Sequence, residues 1–177
     1  MRRFVLVAVL AALCIVSIPG SAQGPSVQLC VANMQIAGTA GASPVGRDLL
    51  IKYLSKEKPD KAITIENVVI PPVAPEEALA AAKQKACDYV VTTNQSESHT
   101  DSTYWGGSTV NVPTFFVTTQ YKLTRVSDGS DMSSGAFKAS DRGSEQNALG
   151  FTMKKIADKV TDTIRKAGPA AKVAPAT

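Results

Sequence analysis

Thr114–Val126 reads Thr-Phe-Phe-Val-Thr-Thr-Gln-Tyr-Lys-Leu-Thr-Arg-Val, and its alternation sets the fold class. Phe115, Val117, Tyr121 and Leu123 fall on one face of an extended chain, with Gln120, Lys122 and Thr124 on the other. Period two over this length is a half-buried strand. Ser127-Asp128-Gly129-Ser130 follows as a turn, with Asp-Gly as a hairpin signal, and Met132–Ser140 returns as a strand. Ser144 then stands as a cap before Glu145–Ala167, where Leu149, Met153, Ile156, Val160 and Ile164 recur at steps of three or four and make one apolar helix face. Gly168-Pro169 ends that helix, and residues 168–177 read as a disordered Ala/Pro tail.

Upstream, strands alternate with helices. Val27–Ile36 is an apolar, β-branched run suited to a central strand. Ala37–Ala42 is a loop of small residues, and Ser43-Pro44 starts a helix that carries Val45, Leu49, Leu50, Tyr53 and Leu54 and ends by Lys56–Pro59. Ala62–Ile70 is a second strand. Pro75-Glu76-Glu77 opens a second helix with acids in its first turn, where they favour the helix dipole. Asp88–Thr93 is a third strand. The order β-α-β-α-β-β-β-α predicts a single α/β domain over residues 23–167, with a mixed sheet of about five strands packed with three helices.

The segment 94–112 is polar and lacks apolar periodicity. It is either a long extension of the flanking strands or a loop, and a loop of this length is uncommon unless it has a task. Tyr104 and Trp105 lie in it, beside Gly106-Gly107, and Trp105 is the sole Trp of the chain. An aromatic pair of this kind serves a binding surface, or else staples the segment to the sheet.

The 177 residues are 44% hydrophobic and 19% charged, an ordinary globular composition. The start of the chain is a leader: Met1-Arg2-Arg3, an apolar run from Phe4 to Ile18, then Gly20 and Ala22 at the −3 and −1 positions of a cleavage site. Residues 1–22 are therefore expected to be a signal peptide, and the product periplasmic or secreted. The apolar run is shorter than a bilayer span. Leu13 before Cys14 departs from a lipobox. Without Arg2 and Arg3 the net charge of +4 falls to +2, which argues against nucleic acid as a partner. Export leaves Cys30 and Cys87 as a candidate disulfide, with two buried thiols as the alternative, and spacing alone leaves both open.

Chemistry has few candidates. His99 is the one histidine; Ser96, Ser98 and Asp101 are its local neighbours in a polar segment, and no G-x-S-x-G elbow accompanies them. Glu76-Glu77 suit a helix start, and Asp128 and Asp131 suit a turn. One His and scattered Cys make no zinc pattern, and Gly38, Gly41 and Gly46 lack phosphate-loop spacing. No catalytic residue, cofactor or metal ligand is expected.

Three patterns carry a resemblance. They are Lys85-Ala86-Cys87-Asp88-Tyr89-Val90-Val91 at a helix-to-strand junction, Tyr121–Gly129 as a strand ending at a Gly turn, and the closing helix around Ile156–Val160. They resemble a bacterial envelope superfamily that includes the TolB N-terminal domain, the curli-secretion lipoprotein CsgG and the lipoprotein activators of penicillin-binding proteins. Cys87 stands where Gly is common in that group. The resemblance implies a non-enzymatic envelope domain acting by contact with an envelope protein partner, and no oligomeric state. His99, Tyr104 and Trp105 are the residues expected to meet the partner. A small-ligand or glycan binder with Tyr104 and Trp105 as a stacking platform is the alternative, and an exported enzyme of unrecognised type the third.

Overall fold

The computed structural model describes residues 25–39, 42–56, 63–71, 74–104 and 111–169. Its elements are β1 (Ser26–Val31), β2 (Met34–Ile36), β3 (Ala42–Ser43), α1 (Pro44–Leu54), β4 (Thr64–Val69), α2 (Pro75–Gln84), β5 (Tyr89–Tyr104), β6 (Asn111–Arg125), β7 (Asp131–Asp141) and α3 (Glu145–Ala167). The expected leader, residues 1–22, lies outside the described residues, as does the tail beyond Pro169.

The architecture is the expected mixed α/β sheet with three helices, in one domain. The sheet has seven strands rather than about five. The run Val27–Ile36 supplies two of them, because the chain leaves the ladder at Ala32-Asn33 and rejoins it at Met34. The two-residue strand β3 pairs back on β2 just before α1.

β5 is the pivot. Along one edge it pairs in parallel with β1 (Leu29↔Tyr89 to Val31↔Val91) and, further up, with β2 (Gln35↔Asn94, Ile36↔Gln95). Along the other edge it pairs antiparallel with β6, which pairs antiparallel with β7. β4 lies parallel to β1 on the far side.

Alternation splits the apolar residues between two cores. Val27, Leu29, Val31, Tyr89, Val91, Val117, Tyr121 and Leu123 face α1 and α3. All five apolar positions read from the last helix, Leu149, Met153, Ile156, Val160 and Ile164, are buried there. Each stabilises the fold by about 1.5–3 kcal/mol relative to exposure. The opposite face packs Cys30, Ala32 and Val90 against Ala78 and Ala82 of α2 in a smaller cluster.

Cys30 and Cys87 are joined, with Cα atoms 5.8 Å apart, so the disulfide alternative holds. The bond ties β1 to the α2–β5 junction inside the smaller core. The 57-residue separation corresponds to about 4 kcal/mol of restricted unfolded-chain entropy.

Local signals are met as read. Ser43 and Ser144 accept from the Val45 and Asn147 amides as N-caps, Pro44 opens α1, and Gly168 closes α3 at φ 73°. In the hairpin turn Gly129 takes φ 72°, and the Asp128 carboxylate accepts from both the amide and the hydroxyl of Ser130.

The junction pattern also has a physical basis. Asp88 accepts from the Gln28 amide at 2.8 Å, fixing the start of β1. The buried ring of Tyr89 donates through its hydroxyl to the Gly168 carbonyl at 2.8 Å, closing the end of α3.

Candidate functional site

The segment 94–104 is strand and pairs antiparallel with β6 as far as Tyr104↔Asn111, so the first of the two readings holds for the described part of 94–112; residues 105–110 lie outside the described residues. Its polar alternation has a simple cause. β7 ends at Asp141, opposite Phe115, and β2 ends at Ile36, opposite Gln95. Beyond those rungs β5 and β6 continue as a two-stranded ribbon.

The two faces of this hairpin part at a bulge. Below it, Gln95 is buried on the helix side and donates to Glu145 at 2.9 Å. The register shifts between Gln95 and Glu97. Ser98 stays on the helix side and donates to the same carboxylate. Glu97, His99 and Asp101 now share the opposite, uncovered face with Phe116 and Thr118, their cross-strand neighbours.

On that face His99 stacks on Phe116 with ring centroids 4.9 Å apart and planes 11° from parallel. His99 Nδ1 lies 3.3 Å from Glu97 Oε1, and Nε2 lies 3.9 Å from Asp101 Oδ2. Thr118 Oγ1 donates to the other Glu97 oxygen at 3.0 Å, which holds the carboxylate in place. The side chains of His99, Glu97 and Asp101 are each about half exposed or more. The group is a small aromatic platform edged by two acids, fixed by backbone pairing and open to solvent.

Toward the root the same face carries a shallow depression of about 150 Å³ lined by Thr92, Asn94, Gln120 and Lys122. Lys122 is held by Asp131 at 3.0 Å.

Of the three residues expected to meet a partner, His99 is on the platform. Tyr104 forms the last rung of the ribbon, opposite Asn111. Trp105 lies outside the described residues. Ser96, Ser98 and Asp101 do not gather around His99 as a triad: Ser98 points to the helix side and bonds Glu145, and Ser96 is directed to the Thr118 carbonyl.

Sequence reasoning missed Phe116 and Glu97. The signal was present. Phe116 is an aromatic in phase with Gln120 and Lys122, on the polar face of the strand whose other face is core.

Fold and site together define a class: a mixed α/β domain whose longest hairpin projects an uncovered polar face. No family model matches the chain. No curated protein matches it. Solved structures do share the fold. A PelC dodecamer from Paraburkholderia phytofirmans aligns with a TM-score of 0.50 at 15% identity, over 78% of this chain and 89% of that one. The hypothetical protein CT253 from Chlamydia trachomatis aligns at 0.50 and 10% identity, over 79% and 96%. Lipoprotein GNA1162 from Neisseria meningitidis aligns at 0.41 and 11%, over 77% and 99%, a likeness too low to carry an argument. The chain therefore has a fold found in bacterial proteins. The finer resemblance to TolB and CsgG domains is not specifically supported by these structures. Among the described residues no helix is long and apolar enough to cross a membrane.

Proposed function

We propose that the chain is an exported bacterial envelope protein, periplasmic or secreted, that acts as a non-catalytic interaction domain and docks an envelope protein partner through the uncovered face of the distal β5–β6 hairpin. One observation carries this reading. The hairpin runs on past the end of β2, and at the rung where Phe116 still pairs with Ser140 of β7 its uncovered face carries a stacked His99–Phe116 pair between two carboxylates. Flat, pre-arranged aromatics that lose little freedom on docking suit a protein interface. The resemblance to envelope interaction domains and the bacterial structures of the same fold agree with it.

The test is capture from envelope extract with the wild type beside His99→Ser/Phe116→Ser, after circular dichroism has shown the variant folded. Loss of this anchor should weaken capture of a specific partner about tenfold, equivalent to ~1.4 kcal/mol. Equal capture by both sinks this face as the docking surface. A second reading keeps a glycan as ligand but moves it from Tyr104 and Trp105 to the hydroxyl- and amide-lined depression at Thr92, Asn94 and Gln120. It predicts retention on a glycan array that Gln120→Ala removes and the His99/Phe116 variant leaves intact.

A further inference from the structure

A second surface lies at the other side of the same sheet. β7 pairs with β6 along one edge, and among the described residues no strand covers its outer edge. Exposed edges in natural sheets are guarded by proline, bulges, short length or clustered charge. β7 has two of these guards, the register shift between Asp131 and Ser133 at its start and Lys138, and lacks the others. It is eleven residues long, it contains no proline, and its ladder runs unbroken from Ser133 to Asp141. Between its terminal acids, Lys138 is the single charge.

Its side chains alternate simply. Ser133 and Phe137 face the helix side: Ser133 bonds the Tyr121 hydroxyl at 2.8 Å, and Phe137 stacks on the Tyr121 ring at 5.9 Å. Gly135 lies between them against that ring, where an added Cβ would meet Tyr121 Cε1 at 3.3 Å. Ala136 and Lys138 are exposed on the opposite face. Met132 and Phe137 pack on the main core but stay only partly buried, because the sheet ends beside them.

We propose that a second copy of this chain pairs antiparallel with β7 along this edge, about a two-fold axis through Ala136. Ala136 is the middle residue of β7, and this register overlaps the regular stretch Ser133–Ala139 of both copies, about 24 Å of edge. A two-fold normal to the sheet keeps each face on its own side and opposes residues of equal parity, as the pleat requires. In this register Phe137 of each copy stands opposite Gly135 of the other. An aromatic across from a strand glycine fills the space that the missing side chain leaves. Lys138 stands opposite Ser134, so no like charges meet in the centre of the strand. Outside that stretch the register shift turns Asp131 to the face of Lys122 and Thr124, whereas Asp141 is in phase with the helix-side residues, so the acids lie on opposite faces and both are already engaged. Asp131 is paired with Lys122 at 3.0 Å, and Asp141 accepts from the Gly143 and Ser144 amides at 2.7 and 2.9 Å. Shifting the axis to Lys138 would set two lysines face to face. The product is a continuous six-stranded antiparallel sheet, β5-β6-β7 of one copy running into β7-β6-β5 of the other, with both α3 helices on the same face.

The test uses the full chain in sedimentation velocity across a concentration series. Ala136→Lys and Ala136→Glu each place two like charges opposite one another at the axis, on an exposed position that the monomer fold does not need. Both variants, verified as folded, should dissociate at least tenfold more readily than wild type, and an equimolar mixture of the two should recover the dimer as a heterodimer. Wild type that stays monomeric to about 1 mM overturns the proposal. So does a dimer that ignores both substitutions, or a mixture that fails to reassociate. The docking reading of the β5–β6 face stands or falls separately, since its variant alters β5 and β6 and leaves the β7 edge intact.

Discussion

The root and the tip of the β5–β6 hairpin are built from the same two strands, yet they live in different environments. At the root Tyr89 and Val91 pair with Arg125 and Leu123 and are buried between α3 and the parallel strands. At the tip Thr100 and Asp101 pair with Phe115 and Thr114 and are exposed. Backbone pairing is continuous; burial is not. The root is held by its side chains, and the tip is held by being attached to the root. A surface made this way keeps its shape without a core, so its side chains are free to be chosen for contact.

The largest expected effect separates the two ends directly. Leu123→Ala empties a site with no solvent exposure and should cost about 3 kcal/mol. Phe116→Ala removes a partly exposed ring that stacks on His99 across the β5–β6 pair and should cost under about 1 kcal/mol. Urea unfolding of the two variants checks this. Similar losses from both would mean that the tip is part of the cooperative core, and the comparison would break.

That difference in burial also explains what was legible in the sequence. The root and α3 could be read because burial on one side imposes period two on strands and period three to four on helices, as in Thr114–Val126 and Leu149–Ile164. The tip has polar residues on both faces, so nothing in Asn94–Tyr104 distinguishes strand from loop; its register comes from β6, not from its own pattern. Phe116 was hidden by its neighbour Phe115, which explained the aromatic content of the stretch. The break at Ala32-Asn33 was invisible because residues on either side of it are equally apolar. The Cys30–Cys87 pairing needed the parallel register of β1 and β5, which spacing alone does not contain.

Asp141 marks the boundary, as the last β7 residue paired to β6 and the residue that turns the chain into α3. The backbone amides of Ser144 and Gly143, and then the Asn147 side chain, hold its carboxyl below the ordinary carboxylate value of 3.8. A group depressed in the folded state stabilises fully above the unfolded value and loses that contribution as pH falls through the lower folded value. Asp141→Asn should therefore be less stable than wild type at pH 7, and the gap should close as the pH drops below about 3.8. Asp128 is lowered in the same sense by the Ser130 hydroxyl and amide, with Arg125 beside it. Its Asn variant is the control at the root end of β7. Urea midpoints at pH 7 and pH 2.5 check both, and a gap that persists at the lower pH would show that Asp141 acts through shape rather than charge.

The smallest expected effect lies just below the root, and its sign is opposite. Ala86 has φ 54°, the one non-glycine residue with positive φ among those described. It follows the end of α2, with its amide bonded to the Lys83 carbonyl. A Cβ in the left-handed region costs roughly 1–2 kcal/mol, and glycine at this position removes that cost while adding about 0.4–1 kcal/mol of unfolded-state entropy. Ala86→Gly should thus stabilise by about 0.5 kcal/mol, read as a small rise in urea midpoint. The resemblance places a common glycine at Cys87, whereas the positive φ lies one residue earlier, at Ala86. Cys87 itself is committed to the disulfide and the smaller core. The bond to β1 fixes where the turn must end, and Ala86 takes the conformation that the closure requires. If Ala86→Gly lowers stability instead, the left-handed turn is held by the alanine methyl rather than in spite of it, and the root begins one residue further from the core than the burial pattern indicates.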